Sequence, residues 1–313
     1  MEASQVMHPV CCRASSSSDM AAPALAAAKP LFVVDVQHGL CNRLRAMASA
    51  SAIASRTDRH LLVIWAPDHH CEARLDDLIR FDFPVVAETD AAPLFRSRAR
   101  HRYNYMEIEP DARFRETILP PGSPQDGDVY VKSAYWLVSP HVEPWQERLF
   151  LQSLRPVEPV IELARSVPPR ADVAIHVRTG TGPDFDHLSF ESPANWPASR
   201  HRELTEWRRK SDVSRFIARL DALSEAGMAD SIFAASDRPE TYAALKERYG
   251  ARLHILERDL YDRSTRQLQY ALADLILLAT ARRLLASSWS SFSEVAQRLA
   301  PQGRPFEQSG LEF

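Results

Sequence analysis

The chain has 313 residues, with 38 Lys and Arg against 41 Asp and Glu and a formal net charge of −3. This length exceeds one usual core and suits two domains of about 130–150 residues. The weak acidity excludes a protein that coats nucleic acid, and no apolar run reaches the ~20 residues of a membrane span.

Residues 1–29 are rich in Ser and Ala and lack the positive start and apolar stretch of a secretory signal. They read as a disordered leader, a weak targeting peptide or a mispredicted start, with Met7 and Met20 as alternative starts. Cys11 and Cys12 sit in it, and Cys41 and Cys71 follow. No CxxC occurs, which argues against a disulfide scaffold and fits a reducing compartment, with the cytoplasm expected.

LFVVDV (31–36) is an apolar, β-branched run of strand length. QHGLCN follows, then an Ala-rich helical pattern over 43–56 with Leu44, Met47, Ala48 and Ile53 near helical spacing. HLLVIW (60–65) is the next strand, so the start is a βαβ unit and its sheet is parallel. The first βα loop holds Gly39, Asn42 and Arg43. In such sheets these loops bind ligands, although Asn42 could equally cap the helix. ARLDDLIRF reads as a short amphipathic helix, VVAE as a strand, 87–128 as irregular, and 128–138 as one long strand or a strand pair. PWQERLFLQSL carries Trp145, Leu149, Phe150 and Leu154 at near-helical spacing. Clustered prolines between about 155 and 171 mark a domain junction. The resulting division is a leader over 1–29, a first domain over 30–160 and a second over 161–313.

The second half restarts the alternation. DVAIHV (172–177) is a strand and 179–204 a long loop. DVSRFIARLDALSEA is a helix with Phe216, Ile217, Leu220 and Leu223 on one face. SIFAAS is a strand ending at Ser236 and Asp237. PETYAALKERYG is a helix opened by Pro239 and closed by Gly250. RLHIL is a strand, and Ser264 caps a helix over STRQLQYALADLILLAT. LLASS is the last strand and SFSEVAQRLA the last helix.

Two stretches ask for a phosphate. The turn Ser287–Ser293 offers small hydroxyls and free amides at a helix start, which is an anion site. In HVRTGTG, Arg178 leaves a strand end beside Gly180 and Gly182, where backbone can approach a ligand. Arg178 can fork onto a diphosphate or tie its loop to a carboxylate; the residue type allows both. We read the two stretches as gripping one nucleotide. Asp274, on a helix among Leu275, Ile276 and Leu277, could accept both the N1–H and the amino group of guanine, or be a charged residue on an amphipathic face. The DxD pairs Asp184/Asp186 and Asp126/Asp128 could hold Mg²⁺ or Mn²⁺ under a diphosphate, or be ordinary loop acids. Adjacent His69, His70 and Cys71 have poor spacing for one metal ion. GxxxxGK[ST], GxSxG and HExxH are all absent.

In this order, GLCNRLRAMASASAIA, the HVR on a strand, the SD at a later strand end and D…LLASSWSSFSEVA resemble the fucosyltransferase superfamily. That group joins the bacterial nodulation fucosyltransferase, the animal core α1,6-fucosyltransferase and the protein O-fucosyltransferases. The resemblance runs from about residue 31 to 300. It implies an α/β fold of the B-type glycosyltransferases, two Rossmann-like domains facing a cleft, with GDP-fucose held mainly by the second. It also implies inversion at the anomeric carbon, no metal or other cofactor, and a glycan-like acceptor. Carried over by motif, Arg178 would bind the diphosphate, His176 would place the guanosine and Asp274 would read guanine. Ser290, Ser291 and Phe292 would hold phosphate, Asp237 would sit in the donor site, and Asn42 would line the cleft with Arg43 beside it.

The chain departs from the core-fucosylating pattern. Thr179 stands where a second Arg is usual, and the Lys and Glu that follow are not matched. Ungapped spacing puts Gly182 at the Lys and Asp186 at the Glu, so Asp186 is the candidate base, with Asp184 and Glu191 as rivals. Trp196 and Trp207 could stack on a sugar or anchor packing. Two other readings are a glycosyltransferase for a different nucleotide sugar and a non-catalytic nucleotide- or glycan-binding descendant.

Overall fold

The computed structural model describes residues 29–88, 90–259 and 261–313. The leader read over 1–29, with Cys11 and Cys12, lies outside them apart from Lys29. In chain order the first half runs β1 (Leu31–Val36), α1 (Leu40–Arg56), β2 (His60–Ile64), β3 (Ile79–Arg80), β4 (Val85–Val86), α2 (Ala91–Arg98), β5 (His101–Asn104), β6 (Val129–Ser133), α3 (Pro144–Ser153), β7 (Arg155–Pro156) and α4 (Glu158–Arg165). The second half runs β8 (Val173–Val177), α5 (Ala198–Arg209), α6 (Val213–Glu225), β9 (Ile232–Ser236), α7 (Pro239–Tyr249), β10 (Leu253–His254), α8 (Thr265–Thr280), β11 (Arg283–Ala286), α9 (Ser291–Leu299) and β12 (Phe306–Gln308).

The protein is α/β, built on two five-stranded parallel sheets. The first has the order β4-β2-β1-β6-β5 and the second β10-β9-β8-β11-β12. β1 and β8 are central strands buried on both faces, which is why they read as near-continuous apolar runs, each broken by one polar residue, Asp35 and His176. In each sheet the chain reverses its direction of growth beside the central strand, between β1 and β6 and between β8 and β11. Parallel sheets bind ligands at such switch points, outside the carboxyl ends of the strands.

Helices join the halves. α9 packs on α1 and α3, and α4 packs on α8. One hydrophobic cluster runs from Phe32 and Val34 through Leu44 and Met47 to Leu272, Leu275 and Val295. Ala46, Ala48 and Ala50 of α1 are fully buried, so the Ala-rich pattern marks a helix pressed between sheet and neighbours.

Several sequence expectations change. α1 starts at Leu40, three residues early, with Gly39 as its N-cap, so Asn42 lies in the first turn and caps nothing. ARLDDLIRF is no amphipathic helix: a single turn at Leu75–Asp77 leads into β3, which pairs antiparallel with β7. That pairing buries Leu78 and Ile79 more fully than a short surface helix would. The stretch 87–128 contains α2 and β5; β5 is a polar edge strand formed by pairing with β6, not by its own pattern. Only 129–133 of 128–138 is strand. The loop expected to Leu204 gives way at Ala198 to α5, which buries only Arg208 and so lacks an apolar period. β12 is an edge strand that follows the last expected helix. Among the described residues no helix is long and apolar enough to cross a membrane.

Candidate functional site

Both switch points open on one cleft of about 680 Å³. From the first sheet come the turn after β1 (His38–Asn42) and Tyr135 and Trp136 after β6; from the second come Arg178 after β8 and Trp289–Phe292 after β11. The two helices that start here are set up alike. His38 (φ 63°) precedes the N-cap Gly39 of α1, and Trp289 (φ 55°) precedes the N-cap Ser290 of α9. A non-Gly residue in the left-handed region costs about 1 kcal/mol or more and concentrates at functional sites. Neither helix has a side-chain cap, so both sets of first-turn amides face the cleft without an intrahelical acceptor.

The turn after β11 is tied to β8. The Arg178 amide donates to Ser287 Oγ at 2.8 Å, and His176 Nδ1 lies 2.8 Å from Ser293 Oγ. The His176 ring stacks on Phe292 at 4.8 Å. Burial pushes His176 down to about 3, so it is a neutral ring here. The structure thus brings together His176, Arg178, Ser290, Ser291 and Phe292.

Arg178 is held by two carboxylates. Nη1 donates to Asp237 and Nη2 to Glu191, and Arg263 also reaches Glu191 at 3.2 Å. Asp237 accepts the amides of Thr179 (3.1 Å) and Gly180 (2.7 Å) as well. Burial alone would raise the Asp237 pKa, but Arg178 and the two amides more than offset this and hold it below the usual range. Gly180 is therefore needed for the approach of Asp237: a Cβ there would meet Asp237 Oδ2. Glu191 Oε2 accepts Thr181 Oγ1 at 3.0 Å.

Asp274 faces the same cleft from α8, with both oxygens already engaged by Arg258 Nη2 at 2.7 and 2.8 Å. Burial raises Asp274 to about 6, and Arg258 opposes that rise. Arg258 was not singled out by the sequence; its signal would have been an Arg in the loop before the helix that carries Asp274.

Asn42 lines the cleft, but Arg43 does not. Its guanidinium is fully buried beneath the loops, donating to the carbonyls of His38 (2.6 Å) and Ala66 (2.7 Å), with Asp68 at 2.9 Å and Trp65 below it. Asp186 is a correction too: its carboxylate sits 3.2 Å from His201 and lies outside the cleft lining, while Glu191 of the same loop is in it. Of the two Trp, Trp196 lines the cleft, stacked on His38 at 5.2 Å, and Trp207 packs on Trp289 outside it. Phe114, Tyr135, Trp136 and Trp289 add further aromatic faces. Asp126 pairs with Arg100, and Asp128 accepts the Leu31 amide, so that DxD is structural. Among the described residues no three His, Cys, Asp or Glu are grouped as metal ligands.

No protein-family model matches the chain, and no curated protein matches it. Solved structures do. A fucosyltransferase NodZ from Bradyrhizobium superposes with a TM-score of 0.58 at 14% identity, over 87% of this chain and 94% of that one. NodZ α-1,6-fucosyltransferase soaked with GDP-fucose gives 0.56 at 14% identity over the same shares. POFUT1 in complex with GDP gives 0.52 at 18% identity, over 91% of this chain and 100% of that one. At such identities the likeness is one of fold, and the fold of this chain is that of the fucosyltransferases NodZ and POFUT1.

Proposed function

We propose that this protein is an inverting, metal-independent glycosyltransferase that moves fucose from GDP-fucose to a hydroxyl of a glycan-like acceptor. The observation that carries this is the shared cleft: the Arg178 loop and the α9 start meet at one switch point, facing the α1 start of the other sheet. NodZ was soaked with GDP-fucose and POFUT1 was crystallised with GDP, which supports the same donor here. The 161–313 half then holds the donor and the 30–160 half the acceptor.

The chemistry follows from charge. Breaking the bond between the fucose C1 and the β-phosphate oxygen sends its electron pair to the phosphate and leaves positive charge on the sugar. Arg178, the Ser290 and Ser291 hydroxyls and the α9 amides lie on the phosphate side, and preorganised donors of this kind are worth several kcal/mol. His176, neutral and stacked on Phe292, places the nucleoside without adding charge. Asp274 offers two oxygens to guanine. Asn42 and the α1 amides face the sugar and acceptor from the other side, and the aromatic walls suit the apolar faces of a sugar.

The acceptor hydroxyl must lose a proton. The carboxylates that line the cleft are Glu107, Glu191, Asp237, Asp274 and Glu294, and each is paired with an Arg. Glu107 and Glu294 are engaged through Oε2 only, so each keeps an oxygen that can take the proton without leaving its Arg. The test is thermal shift with GDP, GDP-fucose, UDP and ADP, each with EDTA or Mg²⁺, followed by a fucose-transfer screen. Ligand at about 100 times its Kd stabilises by about 2.7 kcal/mol, which is readable. Stabilisation by guanine nucleotides alone, unchanged by EDTA, is expected. A response to UDP, or one that requires metal, would sink the donor assignment.

A further inference from the structure

Seven arginines line the cleft against the five carboxylates. Arg45, Arg178, Arg200, Arg258 and Arg263 are each paired. Arg115 and Arg208 have no carboxylate partner among the described residues. Arg115 is exposed and lies over Phe114. Arg208, at the end of α5, is only 7% exposed. Its Nη1 and Nη2 donate to the carbonyls of Ser288 (3.1 Å) and Trp289 (3.2 Å), and its Nε has no hydrogen-bond partner.

A buried cation without a counter-ion is costly, and so is a buried donor without an acceptor. Burial, with the charge of Arg178 adding to it and the more distant Glu191 and Asp237 opposing it, pulls the Arg208 pKa down only to about 10, so the group stays charged at neutral pH. The two carbonyls it holds belong to the turn that starts α9, which fixes the guanidinium beside the free first-turn amides. Arg178, by contrast, already has both Nη atoms on carboxylates.

We propose that Arg208 is the counter-charge for the donor's diphosphate, taking a phosphate oxygen on its unpartnered Nε beside the N-terminal turn of α9. This rests on the donor reading above. The surplus positive charge that a dianion needs then comes from Arg208, because the charge of Arg178, though near the phosphate, is already balanced by Glu191 and Asp237.

The test is calorimetric titration of the full chain with GDP, guanosine and inorganic pyrophosphate, for wild type, Arg208→Gln and Arg208→Lys. Removing a charged donor should weaken GDP and pyrophosphate roughly 10- to 100-fold and leave guanosine unchanged. Arg208→Lys keeps the charge and should lose less; it carries the test if the Gln variant does not fold. Equal GDP affinity in wild type and Arg208→Gln would overturn the proposal, as would an equal loss of guanosine, which would mean a structural role only. A wild type that binds pyrophosphate through Arg208 but not GDP would keep the anion site and remove the donor reading. Binding of neither would remove both.

Discussion

Replacing Arg178 with Ala should cost this protein stability as well as activity. The side chains of Arg178, Glu191 and Asp237 are 19%, 7% and 18% exposed, so all three are largely withdrawn from water. Removing the Arg leaves Glu191 on Arg263 and Asp237 with only the Thr179 and Gly180 amides within hydrogen-bond reach. Breaking a buried pair by deleting one partner costs about 3–5 kcal/mol. For a chain of this size each kcal/mol lowers Tm by about 2–3 °C, so a fall of about 6–15 °C is expected. Scanning calorimetry measures it directly. The triple change Arg178→Met, Glu191→Gln and Asp237→Asn removes the charges together and should recover part of the loss, because a neutralised site has no orphaned ion. An Arg178→Ala protein melting within about 2 °C of wild type would refute the claim that these pairs hold the loop. Kinetics of the Ala variant are interpretable only below its own Tm.

GDP affinity should fall as pH drops through about 6, where the raised Asp274 takes up a proton and loses an acceptor; the loss is at most about tenfold per pH unit, and affinity constant from pH 8 to 5, or pH dependence that survives Asp274→Asn, would refute it. His38, His70 and His176, with pKa values lowered to about 3, 4 and 3 mainly by burial, should show no NMR titration between pH 8 and 5. Because the unfolded rings protonate near 6.5, each contributes stability that is complete above that pH and is lost as pH falls below it; a folded-state midpoint near 6.5 would show that the rings are wet. Gly180→Ala should push Asp237 off Arg178 and lower stability by about 1–3 kcal/mol, read as a urea midpoint shift; an unchanged midpoint would show that the loop relaxes freely. Asp186→Asn should leave fucose transfer unchanged, since the residue lies outside the cleft; loss of turnover with the same Tm would restore it as a base.

The central strands, the helices with a clear apolar face and the Ser264 cap were legible because each announces itself locally. β5 and α5 were not. His101–Asn104 becomes a strand only because β6 offers it an edge, and α5 turns polar residues outward with one Arg inward. At the site, Arg178 and the α9 start could be found because strand-end Arg and Ser-rich helix starts are physical signals in themselves. Arg208 and Arg263 could not, since nothing in an Arg's neighbours along the chain tells a buried cation from a surface one, and Arg258 had only its place before the helix of Asp274 to mark it. Ungapped counting chose Asp186 over Glu191. The loop folds back so that the later carboxylate, not the earlier, meets Arg178.

The cleft is best understood as an ion-exchange surface. Both Arg178 Nη atoms are on carboxylates and both Asp274 oxygens are on Arg258, so the proposed donor would have to share these groups rather than fill empty ones. On the proposed donor reading, its guanine would share Asp274 with Arg258, and its diphosphate would share Arg178 and use Arg208. Sharing is feasible at Asp274, because a carboxylate has about four acceptor directions and Arg258 uses one on each oxygen. At Arg178 one N–H of each Nη is on a carboxylate, and the remaining N–H donors are what a phosphate oxygen would share.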